Sequence, residues 1–190
     1  MIELPTAQTS FAAIAATPLS ALMAFTFGVA THWNGSAWST VATPNVNAIN
    51  ALKGVAAIAS TDVWAVGSSI KSPSDGISQY RTLIEHYNGG AWSVVPSPNA
   101  GAGSNELTGV AAHSASDVWA VGYALDVTGD IPVAKTLWMH WDGTRWSTVP
   151  SPSAGTGDNL LDSVIAPAGT SDVWASGVSA NGTLVEHYTK

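Results

Sequence analysis

Three acid–base pairs are the residues in this 190-residue chain whose types and spacing could do chemistry. Asp62, Asp117 and Asp172 stand 55 residues apart, and His32, His86 and His140 stand 54 apart, with His187 in the last copy. A carboxylate that orients an imidazole is the core of many general acid–base sites. The repetition argues against that use here, because a catalytic group is needed once and a clamp is needed in every repeating unit. If the Asp and His strings lie on neighbouring antiparallel strands, Asp62 falls beside His86, Asp117 beside His140 and Asp172 beside His187. Such a hydrogen bond, repeated, reads as a structural device. Zinc would need the histidines to converge on one ion at about 2 Å. A repeat disperses four of the five and leaves His113 alone, so no catalytic residue, metal or cofactor is expected.

The elements that must position these residues are set by an internal repeat. Asp62-Val63-Trp64-Ala65-Val66-Gly67 recurs from Asp117 to Gly122 and from Asp172 to Gly177, with Ser176 replacing Val in the last copy. A second string keeps step: His32-Trp33-Asn34-Gly35-Ser36-Ala37-Trp38, then His86 to Trp92, then His140 to Trp146. Alternating apolar positions divide the third unit into strands Leu107–His113, Asp117–Tyr123, Lys135–Trp141 and Arg145–Val149. The Asn-Gly or Asp-Gly pair before the last strand is a hairpin signal, since both central turn positions favour positive φ. The tryptophans are large enough to fill the space between units.

Composition agrees. Charged residues are 10% of the chain, while Gly, Ser, Thr, Asn and nine Trp are plentiful, which suits pleated strands and tight turns rather than long helices. The net charge of −7 comes with only six scattered basic residues, too few to neutralise a nucleic-acid backbone. Cysteine is absent, so neither disulfides nor thiolates contribute. The apolar run Phe11 to Ala30 is flanked by Glu3 without a basic residue and interrupted by Pro18. It fits buried strands better than a signal peptide or membrane span.

On these strings the units resemble the Trp-rich, Asp-Val-Trp-Ala-Val-Gly type of bacterial β-propeller repeat, and more distantly Asp-box and Kelch repeats. The Asp-box places Gly two and Trp five residues after its Asp, whereas Asn34, Asn88 and Asp142 have them at one and four. Kelch's paired glycines are missing. The resemblance implies an all-β propeller of four-stranded antiparallel blades in one domain over 1–190, extracellular or on the cell surface, and transfers no catalytic residue. The blades would occupy 10–43, 52–96, 107–150 and 161–190, the last completed by residues 2–6. Four blades would then close with Ile2 to Pro5 pairing against Leu184 to Tyr188, which removes a strand edge. A fragment of a larger ring, or two chains sharing one eight-bladed ring, satisfies the same strand pairing.

The joins from strand two to three and from strand four to the next unit vary in length and fall on one face. Variable loops on a rigid scaffold are where binding usually resides. That face is expected to present Tyr80, Arg81, Glu106, Tyr123, Asp126, Asp130 and Asp158, with Asn50, Asn105 and Asn159 at one spacing before each first strand. Aromatic rings with amides and carboxylates suit a glycan, and the asparagines equally suit turn capping. Asp126 and Asp130 alone are too few oxygen ligands for a calcium loop. The expected function is a noncatalytic binding module for a glycan or a protein. The alternatives are a structural, self-assembling scaffold with a homo-oligomer as its product, and a sialidase-like glycoside hydrolase. The hydrolase would want an arginine cluster, and the chain has only Arg81 and Arg145.

Overall fold

The computed structural model describes residues 23–26, 29–33, 36–47, 49–71 and 79–189, and all regular structure within them is β. Four antiparallel sheets follow one another in chain order. Sheet I comprises β1 (Met23–Thr26), β2 (Val29–Trp33) and β3 (Trp38–Ala42). Sheet II comprises β4 (Ile49–Ala59), β5 (Asp62–Lys71), β6 (Gln79–Tyr87) and β7 (Trp92–Val94). Sheet III comprises β8 (Asn105–Ser114), β9 (Asp117–Asp126), β10 (Val133–Trp141) and β11 (Trp146–Val149). Sheet IV comprises β12 (Asn159–Ile165), β13 (Asp172–Ser179) and β14 (Gly182–Thr189). The four-strand reading of the repeat therefore holds in sheets II and III. The expected first strand of the 10–43 unit, around Phe11, and the pairing of Ile2 to Pro5 lie outside the described residues. Among those described, β14 pairs with β13 alone.

The sheets pack face to face, and strand alternation gives each a trailing face toward the preceding sheet and a leading face toward the next. Trp64, Val66 and Ile84 on the leading face of sheet II meet Val110, Val118, Met139 and Trp146 of sheet III in one core. Trp119, Val121 and Trp138 of sheet III meet Leu161, Val164, Val173 and Leu184 of sheet IV in another. A third joins Ala30 and Val41 of sheet I to Leu52, Val63, Leu83 and Trp92 of sheet II.

The first strands come closest. A Cβ on Gly54 would lie 3.0 Å from the Cα of Gly109, and one on Gly109 would lie 3.2 Å from the Cα of Ser163. Backbones thus touch along β4, β8 and β12, and the space between the second to fourth strands is filled by indole rings. This division assigns the small residues and the tryptophans of the repeat to different jobs.

The final glycine of the Asp-Val-Trp string answers to a bulge. Leu52 pairs with Gly67 and Gly54 with Val66, so Lys53 is an extra residue; Thr108 and Asp162 are extra at the same place in β8 and β12. The bulge drives the preceding carbonyl into the facing strand, so a Cβ on Gly67, Gly122 or Gly177 would penetrate the carbonyl oxygen of Ala51, Glu106 or Leu160. Bulges also re-aim side chains. Lys53 forms an ion pair with Glu106 of sheet III, and Thr108 Oγ1 donates to the carbonyl of Leu161 in sheet IV at 2.6 Å. Each of these bulged residues reaches the next sheet.

The joins between sheets also seal strand edges. β7 covers only Glu85 to Tyr87 of β6, and the rest of that edge is met by the following loop. Thr82 N–H donates to Asn99 Oδ1 at 3.0 Å and Tyr80 N–H to Ser104 Oγ at 3.2 Å. In sheet III, Thr136 N–H donates to Ser153 Oγ and Ala134 N–H to Asp158 Oδ1. Unpaired edge groups are satisfied by side chains where strand is missing.

Gly122→Ala is expected to destabilise the protein by about 3 kcal/mol or to prevent folding, because backbone rather than a pliable side chain opposes the new methyl. Gly129→Ala, whose Cβ would meet only the Ile131 carbonyl at 3.9 Å, is expected to unfold within about 0.5 kcal/mol of the parent. Urea titration of the two variants checks the pair.

Candidate functional site

Antiparallel pairing places each motif Trp directly opposite a His: Trp64 faces His86, Trp119 faces His140 and Trp174 faces His187. Two residues before each Trp, the Asp reaches across to the same His. The Oδ1 to Nε2 distances are 2.7 Å for Asp62–His86, 2.8 Å for Asp117–His140 and 2.8 Å for Asp172–His187. The held imidazole lies against the indole, with ring centroids 4.2, 4.3 and 3.8 Å apart in the three sheets. The expected Asp–His pairs are therefore formed, and each backs a tryptophan. In sheet III the carboxylate also accepts from Trp119 Nε1 at 2.9 Å. Chemically this is an orientation device: carboxylate fixes imidazole, and imidazole fixes the ring that fills the gap between sheets.

His113 stands apart from the other histidines, and neither of its ring nitrogens has a hydrogen-bond partner. A second bulge, between Ala112 and Ser114, brings its Nδ1 to 3.6 Å from Asp117 Oδ2. Among the described residues, no three of His, Asp and Glu converge as metal ligands would.

The hairpin turn beside this rim also differs from the two-residue form that Asp-Gly suggests. Trp141 pairs with Trp146, leaving a four-residue connection with Gly143 at a φ of 94°. Asp142 Oδ1 accepts the Thr144 N–H at 2.8 Å, the Thr144 hydroxyl at 2.6 Å and the Arg145 N–H at 2.9 Å. These bonds to the ionised form, the hydroxyl's foremost, hold the Asp142 carboxyl down at about 2. The side chain organises the turn, which is why it occupies four residues rather than two.

The opposite rim carries the variable joins, as the strand directions require. The candidate binding residues divide there by what already holds them. Asn105 and Asn159 are fully buried. Asn105 Oδ1 accepts from Ala100 N–H at 2.7 Å and its Nδ2 donates to the Gly103 carbonyl at 2.7 Å. Asn159 repeats this toward Ala154 and Gly157, and Asn50 holds the turn at 46–47. The asparagines cap turns. Asp158 tethers Ala134, and Arg81 donates to Gln79 Oε1 and the Gly103 carbonyl.

Most of the candidates lie on strands: Tyr80 and Arg81 on β6, Asn105 and Glu106 on β8, Tyr123 and Asp126 on β9, and Asn159 on β12. β5 runs to Lys71 and pairs with Tyr80 and Arg81 of β6, and Tyr123 pairs with both Glu106 and Thr136 inside sheet III. The ladders extend past the Asp-Val-Trp string because Ser68, Ser69 and Ile70 continue its extended, alternating pattern. Tyr123 OH donates to Glu106 Oε2 at 2.8 Å, and Glu106 meets Lys53, making a three-residue chain across two sheets. Burial, then the bond to Glu106, pushes the Tyr123 phenol well above its ordinary range. Lys53 was hidden from sequence reading as one of the scattered basic residues, because only the bulge aims it. Asp126, itself exposed, accepts from the Thr128 N–H and hydroxyl, which lower its pKa. This rim projects Tyr80, Asp126, Val127, Asp130, Ile131 and Asp158 into solvent, with Ile131 77% exposed.

Two acids on the third strands are buried. Glu186 accepts from Trp138 Nε1 of sheet III at 2.5 Å. Glu85 is 1% exposed, one of its carboxylate oxygens has no hydrogen-bond partner, and burial pushes its pKa up to about 7. Its alignment with Met139 in an apolar strand was the available signal.

Two outcomes follow. Asp117→Ala is expected to cost about 2 kcal/mol, and an Asp117/His140 double-mutant cycle to show coupling of about 1 kcal/mol, measured by denaturant unfolding with near-ultraviolet circular dichroism reporting indole order. Because the Glu85 pKa is higher folded than its ordinary 4.5, the native state binds more protons between pH 4.5 and 7, and stability falls as pH rises through that window. The full penalty, present above pH 7, is about 3 kcal/mol, so Glu85→Gln is expected to raise stability at pH 8 and flatten the pH profile of the melting temperature. Comparison with known proteins gives no match to a family model and none to a curated protein.

Proposed function

We propose that the four sheets are blades of a β-propeller and that the chain is a noncatalytic interaction module of a bacterial surface or secreted protein. The rim carrying the β5–β6, β9–β10 and sheet-to-sheet joins is its recognition surface. Support comes from how the polar side chains are spent. The repeated Asp, His and Trp serve the sheets themselves, and most polar candidates on the variable rim cap a turn or bridge strands. The carrying observation is the β9–β10 tip, where Ile131 is 77% exposed beside Asp130 and Val127 on a connection rooted in the Asp126 turn. An aliphatic tip flanked by acids suits an apolar pocket with a basic margin, which is protein chemistry. Glycan recognition would draw on Tyr80, since the Tyr123 hydroxyl is already engaged by Glu106.

Cross-linking from a photoreactive residue placed at Asp130, followed by capture from bacterial surface extracts, is the direct test. Ile131→Asp is expected to lower capture at least tenfold, or about 1.4 kcal/mol, without shifting the melting temperature. A glycan array that binds the parent and is unaffected by Ile131→Asp but silenced by Tyr80→Ala would transfer recognition to sugar. Binding to neither would remove the rim as the functional surface.

A further inference from the structure

The leading face of sheet IV is open. Ile165, Trp174, Ser176 and Val185 stand where sheet III has Ala111, Trp119, Val121 and Trp138, which are buried against sheet IV. Ile165 is 58% exposed, Trp174 40% and Val185 65%, and together with Ser163 and Val164 they line a shallow depression. The bulged residue Asp162, counterpart of Lys53 and Thr108, is exposed as well.

The other end of the stack is open in the complementary sense. On β2, Ala30 points toward sheet II, so strand alternation puts Trp33 on the trailing face, and its cross-strand partner Trp38 lies with it. Trp38 is 50% exposed, whereas its counterparts Trp92 and Trp146 are 6% and 4% exposed. The Trp33–Trp38 pair, with centroids 5.6 Å apart, matches the Trp141–Trp146 pair at 6.0 Å. That second pair flanks Trp64 of the preceding sheet at 5.0 and 5.5 Å. One end therefore displays the tryptophan that an interface of this kind receives, and the other end displays the pair that receives it.

We propose that two copies of the chain associate head to tail, with the leading face of sheet IV on one copy receiving the trailing face of sheet I on the other and Trp174 seated between the partner's Trp33 and Trp38. The occupant is a second copy because the interface continues one the chain already makes between its own sheets. Among the described residues, Trp38 on one face and Ile165, Trp174 and Val185 on the other remain exposed on the same molecule, so its two end sheets do not cover each other. A heterologous contact of this kind closes when two copies satisfy both faces. The inference concerns sheet faces and is independent of any ligand at the rim.

Light scattering and sedimentation over a wide concentration range are expected to give twice the chain mass for the parent protein. Trp174→Glu and Trp38→Glu are each expected to be monomeric with unchanged circular dichroism, Val185→Glu standing in should the first not fold. Mixing the two monomeric variants is expected to restore one doubled-mass complex, since each retains the face the other has lost. A parent that is monomeric at every concentration would overturn the proposal. So would continued self-association of Trp38→Glu, which would mean that two sheet IV faces meet symmetrically.

Discussion

Contact between the backbones of successive first strands is the constraint on which the rest of this structure depends. Gly54 against Gly109, and Gly109 against Ser163, bring β4, β8 and β12 as close as polypeptide allows. Sheets with a right-handed twist that touch along one strand leave room along the others, and protein interiors do not tolerate empty room. The gap is filled by the largest apolar side chain available, placed once on the second strand as Trp64 or Trp119 and again on the fourth as Trp92 or Trp146. The bulge that presses the first strand against the glycine of the second makes the same strand deliver Lys53 and Thr108 to the neighbouring sheet. Close approach, bulge and glycine form one device.

A ring in a gap can be oriented in several ways, and the Asp–His bond selects one. Imidazole fixed by a carboxylate presents a flat surface to the indole, so its orientation is determined from within its own sheet before the next sheet arrives. Side chains that elsewhere would move protons here limit rotamers. Glu186 accepting from Trp138 does related work across a sheet boundary. Glu85 and Glu186, each with one buried carboxylate oxygen that lacks a partner, are places where polarity is carried at a cost.

Much of this was legible in the residues because periodicity reports geometry directly. The 54- to 55-residue spacing and strand alternation are enough to pair Asp62 with His86, Asp117 with His140 and Asp172 with His187. The bulges were not legible, since an extra residue in a strand leaves alternation intact on both sides and merely changes its phase. For that reason nothing in the sequence sets Lys53 apart from the other scattered basic residues. Tyr80 and Asp126 sit on strand ends rather than in the joins for a related reason: strands outlast the motif that announces them. Asn105 and Asn159 admitted two uses, and a buried amide bonded to two turn backbones decides for capping.

The faces of sheets II, III and IV are interchangeable in register, since Trp64 and Trp119 occupy the same place in successive interfaces. Duplication of the period that forms sheet III would therefore set its leading face, with Trp119 and Val121, against a trailing face patterned like the one that already receives Trp64. Deletion of that period would instead leave Trp64 facing a sheet without a fourth strand and Lys53 without Glu106, so the order of the units is not free.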